Sequence, residues 1–164
     1  MGVKAENFKA GFARVDITPP LGTPIVGYFE KRVAKGILDT LEANAHAVSD
    51  GATTAVLVAA DLLGVEGVEF NLALRRRIAA AAGVAETAVY VHSTHTHTGP
   101  GAGVAGKGRT DLFDGTAFYN EFLSSRLADV ARMADKLRIL YCLPQLLLKI
   151  SHETSLTNQG RTRC

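Results

Sequence analysis

The chain predicts an α/β fold, a mixed β-sheet with flanking helices, on three observations. Four runs carry apolar residues in the pattern of strands. Two longer segments repeat at helical spacing, and the connections require one antiparallel and one parallel neighbour within the same sheet.

Residues 8–17 alternate as a strand, with Phe8, Ala10 and Phe12 on one side, and Thr18-Pro19-Pro20-Leu21-Gly22 ends the run. A loop follows, with turn chemistry at Thr23-Pro24, Gly27-Tyr28 and Gly36. Residues 41–48 then set Ala43, Ala45 and Ala47 against polar positions, a second strand. Asp50-Gly51 is a hairpin signal, so residues 53–63 pair antiparallel with that strand. Their centre, Ala55 through Ala60, is apolar on both faces, which predicts cover from both sides, by two helices or by a helix and a second layer.

Residues 65–82 change to helical periodicity through Val68, Leu72, Ile78 and Ala82, with Gly83 as C-cap. Residues 87–98 form the next strand. Strand, helix and strand over this distance make a right-handed crossover with parallel strands. Asp61 and His95 then fall near one sheet edge, where open α/β sheets hold their ligands. Residues 116–134 form a second helix, its inward stripe being Phe118, Phe122, Leu123, Leu127, Val130 and Met133. Leu137 to Tyr141 can begin another strand, but residues 151–164 are polar and aperiodic. One domain over residues 8–136 is expected, followed by an atypical tail at 137–164.

Composition narrows the function. With 164 residues, 47% hydrophobic and 21% charged, the chain can bury a core and does not read as disordered. A net charge of +2, with scattered Lys and Arg, gives no footprint for nucleic acid, and Arg75-Arg76-Arg77 reads as the solvated face of a helix. The first residues lack an apolar signal region, and Glu6 stands where a myristoylation motif needs Ser or Thr. The most apolar stretch, 137–150, is interrupted by Arg138, Pro144 and Gln145 and is too short to span a bilayer. The expectation is therefore a cytoplasmic protein without a transmembrane segment. Cys142 and Cys164 are the only cysteines, so neither a disulfide framework nor a Cys-x-x-Cys site is expected.

Chemistry concentrates in Thr94-His95-Thr96-His97-Thr98-Gly99-Pro100. Two imidazoles two positions apart on a strand point to one side, about 6.6 Å apart along the backbone, and can close on one metal ion. They can also form an ordinary polar strand face. Gly99, Gly101, Gly103, Gly106 and Gly108 let a loop approach the site, and Gly99, Gly101 and Gly103 either offer N–H groups to an oxyanion or only give flexibility. Asp61 is either a carboxylate that orients a ligand imidazole or the N-cap of the following helix. His92 has the opposite parity and faces away, His46 is structural or exposed, and Tyr28 either reaches the site mouth or only packs its ring.

Several segments occur in a recognisable order: Gly11-Phe12-Ala13-Arg14-Val15-Asp16-Ile17-Thr18-Pro19, Gly27-Tyr28, Gly36-Ile37 with Asp39 and Leu41, Ala60-Asp61-Leu62, and the histidine segment. Together they resemble the N-terminal part of the neutral/alkaline, non-lysosomal ceramidase family, over residues 11–134. The resemblance implies that family's N-terminal fold and a zinc amidohydrolase that cuts the N-acyl amide of ceramide into sphingosine and fatty acid. Carried over to this chain, His95 is the zinc ligand and His97 the catalytic partner lining the same site; Asp61 joins them as a catalytic candidate from its place at the end of its strand, not from the resemblance.

Full members are much longer, and their other zinc ligands, a histidine, a glutamate and a tyrosine, come from downstream. His152 and Glu153 do not lie in surroundings like the family's second histidine motif, and the change of character near Asp135 is that of a truncated or frame-shifted member. Two readings follow. One is a zinc-dependent hydrolase of ceramide or another acylated small molecule. The other is a catalytically incomplete fragment or binding module that keeps the fold without an assembled metal site. In either case self-association through exposed apolar surface is expected.

Overall fold

The computed structural model describes residues 8–103 and 116–140. In chain order the elements are β1 (Lys9–Asp16), β2 (Pro24–Ile25), β3 (Arg32–Val33), β4 (Glu42–Ser49), β5 (Thr54–Ala60), β6 (Val65–Glu66), α1 (Val68–Ala82), β7 (Val89–Ser93), β8 (Ala102–Gly103), α2 (Thr116–Lys136) and β9 (Ile139–Leu140). Five strands form the main sheet in the order β7-β5-β4-β1-β9. The predicted connections hold: β4 and β5 are antiparallel across the turn at Asp50 and Gly51, whereas β5 and β7 are parallel across α1. This is the mixed α/β sheet expected from the sequence.

Residue alternation decides which face of the sheet is covered. Val15 of β1, Ala43, Ala45 and Ala47 of β4, and Val56, Val58 and Ala60 of β5 are buried on the side that carries both helices. Small alanines let the helices approach closely, and Gly11 takes this furthest: a Cβ there would collide with the Ala134 carbonyl of α2. On α1 the inward residues are Leu74, Ile78, Ala79 and Ala82, and Gly83 ends the helix in the left-handed conformation at φ 68°. Val68, expected on that stripe, is 77% exposed. On α2 Leu123, Leu127 and Val130 are fully buried as expected, while Phe118 and Met133 face outward and Tyr119, Ala131 and Ala134 replace them.

Cover on both sides of β5 is not found among the described residues. Phe12, His46, Leu57 and Tyr90 lie opposite one another across β1, β4, β5 and β7, and form an open row on the face away from the helices. Phe8, Ala10 and Phe12 thus share a face, but it is not the helix-covered one. No helix among the described residues is long and apolar enough to cross a membrane. Most of the predicted tail, including Cys142, His152 and Glu153, lies outside the described residues, as do Gly106 and Gly108 of the glycine loop.

Candidate functional site

β5 and β7 are parallel and end at the same edge, so the segments leaving them run side by side. Thr94 N–H donates to the Ala60 carbonyl at 3.0 Å, and Thr96 N–H donates to the Leu62 carbonyl at 3.2 Å. This edge brings Asp61 and the histidine segment together, as the crossover predicts.

Strand alternation is not what pairs the imidazoles. β7 stops at Ser93, and His95 has φ 63°, the one non-glycine residue in the left-handed region among the described residues. Such a conformation costs a side-chain-bearing residue roughly 1–2 kcal/mol and persists only where surrounding contacts enforce it. Here the reversal at His95 folds the segment back, and the His95 and His97 rings meet edge to face with centroids 5.1 Å apart.

Each ring is held through the same atom. His95 Nδ1 lies 2.8 Å from the Leu63 carbonyl oxygen, and His97 Nδ1 lies 3.0 Å from the Gly27 carbonyl oxygen. A carbonyl can only accept, so both Nδ1 atoms donate, and in the neutral form of each ring Nε2 keeps its lone pair. Metal-ligating histidines are held this way, the second ring nitrogen donating to a backbone carbonyl. Two imidazoles bound through Nε2 to one tetrahedral zinc place their ring centres about 5 Å apart, which matches the spacing found. The ring spacing is thus one that two histidine ligands of a single zinc also have. Among the described residues, however, no group of three or more His, Cys, Asp or Glu converges on a cation.

Asp61 is not a helix N-cap: α1 begins at Val68 behind Gly67, with no side-chain cap. Its carboxylate accepts from Thr94 Oγ1 at 3.0 Å and from Glu42 N–H at 3.0 Å. It pins the start of the histidine segment to β4, while backbone carbonyls take both imidazole Nδ1 protons. Tyr28 reaches the site, its ring meeting His97 edge to face at 5.8 Å. His92 points away from the pair, beside Tyr90, and His46 packs against Phe12 on the open face.

The Gly27 and Leu63 carbonyls as imidazole acceptors are not legible in the sequence, because main-chain oxygens leave no side-chain motif, although Gly27 itself is marked by its turn and motif. Gly27 carries a second constraint: its φ is 95°, and a Cβ there would lie 2.7 Å from His97 Nδ1.

No family model matches the chain, and no curated protein matches it in sequence. Solved structures do. The neutral ceramidase from Pseudomonas aeruginosa superposes with a TM-score of 0.62 at 19% identity, over 80% of this chain and 22% of that one. The fold is that of a neutral ceramidase segment. A structure described as ceramidase complexed with C2 agrees, with a TM-score of 0.64 at 20% identity over the same shares. The resemblance drawn from the ordered motifs thus holds at the level of the fold, and the chain spans about a fifth of the length of these ceramidases.

Proposed function

We propose that this chain supplies the two-histidine part of a zinc centre that hydrolyses an N-acyl amide, in ceramide or another acylated small molecule. The observation that carries the reading is the pair of Nδ1-to-carbonyl bonds, which leaves both Nε2 lone pairs free on adjoining neutral rings. Zinc, when bound, supplies Lewis acidity toward the amide carbonyl and toward water near neutral pH. His95 holds it. His97, with Nδ1 fixed on the Gly27 carbonyl, presents Nε2 to bind beside His95 or to accept and return a proton. Asp61 is the positioning residue that anchors the histidine segment through Thr94. Catalytic zinc takes three protein ligands, so the remaining donors come from outside the described residues or from another chain.

The zinc content of the freshly purified protein tests this reading. We expect bound zinc in the wild type and its loss in His95→Ala, with hydrolysis of an N-acyl amide lost in parallel. Zinc at background in the wild type, or undiminished in His95→Ala, overturns the reading in favour of a binding module that keeps the fold without a metal. The open apolar row of Phe12, Leu57 and Tyr90 supports self-association of the chain as a further property.

A further inference from the structure

β5 and β7 run parallel, and the histidine segment follows their last residues. At the other end of the sheet their first residues line a cavity of about 520 Å³. That size falls within the roughly 300–1,000 Å³ of small-molecule sites. Val56, Val89 and Val91 give the cavity apolar wall, and Asn71, Arg75 and Thr87 give it polar groups. Asn71 and Arg75 are four residues apart on α1 and so share one face of the helix.

Arg75 brings the charge. Its Nη2 donates to the Glu86 carbonyl at 2.8 Å, which ties α1 to the turn that leads into β7. That bond uses one of five N–H donors. Nε is buried with no acceptor, and it is the one side-chain nitrogen or oxygen so placed among the described residues. No carboxylate pairs with Arg75 among the described residues either: the Glu86 side chain is taken by Arg76, at 3.3 Å. A tie to one carbonyl thus explains one donor and leaves the charge of a half-buried guanidinium uncompensated. An anion entering the cavity supplies both the counter-charge and further acceptors. The Asn71 amide and the Thr87 hydroxyl, which bond to nothing else among the described residues, add neutral donors on the same wall.

The composition of the wall selects the kind of anion. One guanidinium balances one negative charge, and it takes a carboxylate through two N–H donors. A phosphate dianion leaves a second charge facing valines. The valines instead suit an apolar body attached to the acid.

We propose that this cavity is a binding site for a small carboxylate with an apolar body, held by Arg75. It shares no residue with the histidine site and does not rest on the zinc reading.

Titration of the full chain with benzoate, benzamide and inorganic phosphate, followed by amide NMR, tests it. Benzoate is expected to shift the amides of Asn71, Arg75, Thr87 and Val89, in the wild type and in His95→Ala alike. Benzamide, the neutral isostere, should bind about tenfold more weakly, the size of one charge-assisted contact. Arg75→Gln should bring benzoate down to the level of benzamide. The comparison of the two probes in the wild type needs no variant, and decides the role of the charge if Arg75→Gln does not fold. Absence of shifts at these four residues, equal affinity for benzoate and benzamide, or a preference that survives Arg75→Gln overturns the proposal. Loss of benzoate binding in His95→Ala overturns it too, by assigning the acid to the histidine site. Phosphate that shifts the same amides at or above the affinity of benzoate overturns the choice of a carboxylate and with it the proposal.

Discussion

His95 carries the local strain of the site and His97 its most exacting fit. The left-handed backbone at His95 is what brings the two rings together, and the His97 ring is then seated on Gly27 with no room for a side chain. Gly27→Ala adds a Cβ in a left-handed conformation and pushes it into Nδ1 of His97, so it should cost about 1–3 kcal/mol and break the bond to the carbonyl. Urea denaturation and zinc content measure the two effects. Gly22→Ala is the matched control: its φ of 87° brings a similar backbone cost, but nothing lies within 4 Å of the added Cβ. It should lower stability and leave zinc binding intact. Equal zinc loss in both variants would show that the seat under His97 is not what matters. His95 and His97 were legible in the sequence as a pair, although the reason given, strand parity, does not apply.

At the scale of elements, periodicity located both helices but misplaced part of their inward faces. Residues on a helix are separated by about 100°, so a shift of one position turns a side chain from the core to solvent. On α2 the buried line runs through Tyr119, Leu123, Leu127, Val130, Ala131 and Ala134; Phe118 and Met133 are each one position off it. Apolarity favoured the phenylalanine, but the sheet selects the tyrosine, which also donates from its hydroxyl to the Ile17 carbonyl at 2.7 Å. Burial, with a smaller effect from Asp16, raises the phenol far above its ordinary range, so the hydroxyl remains a donor throughout the working pH range. Tyr119→Phe should therefore leave the Ile17 carbonyl unpaired and cost about 1–2 kcal/mol, read as a lower urea midpoint at unchanged slope. An unchanged midpoint would mean that water replaces the hydroxyl. The histidine strand was overextended for a related reason: Thr94, Thr96 and Thr98 suit a strand by propensity, but the reversal at His95 ends it.

For the whole molecule the deciding feature is that both helices lie on one side of the sheet. The opposite face presents Phe12, Leu57 and Tyr90 at 43%, 41% and 61% exposure, in register across four strands. Exposed apolar side chains in one row, interrupted only by His46 beside Phe12, favour association in water. Light scattering should find the purified chain larger than a monomer, with Leu57→Lys shifting it toward the monomer at little cost in thermal stability. A wild type that is monomeric across the accessible concentration range would rule out self-association through this face.

By itself the sequence determined the order and type of the main elements, the hairpin at Asp50-Gly51, the parallel crossover and the edge at which Asp61 meets the histidine segment. These follow from local chemistry and from the handedness of the crossover, both of which a single chain encodes in order. The tertiary structure alone decided which sheet face is covered, which helical residues point inward, and that the Leu63 and Gly27 carbonyls hold the two imidazoles. Those outcomes depend on main-chain atoms and on elements distant in sequence, and neither leaves a side-chain pattern to read.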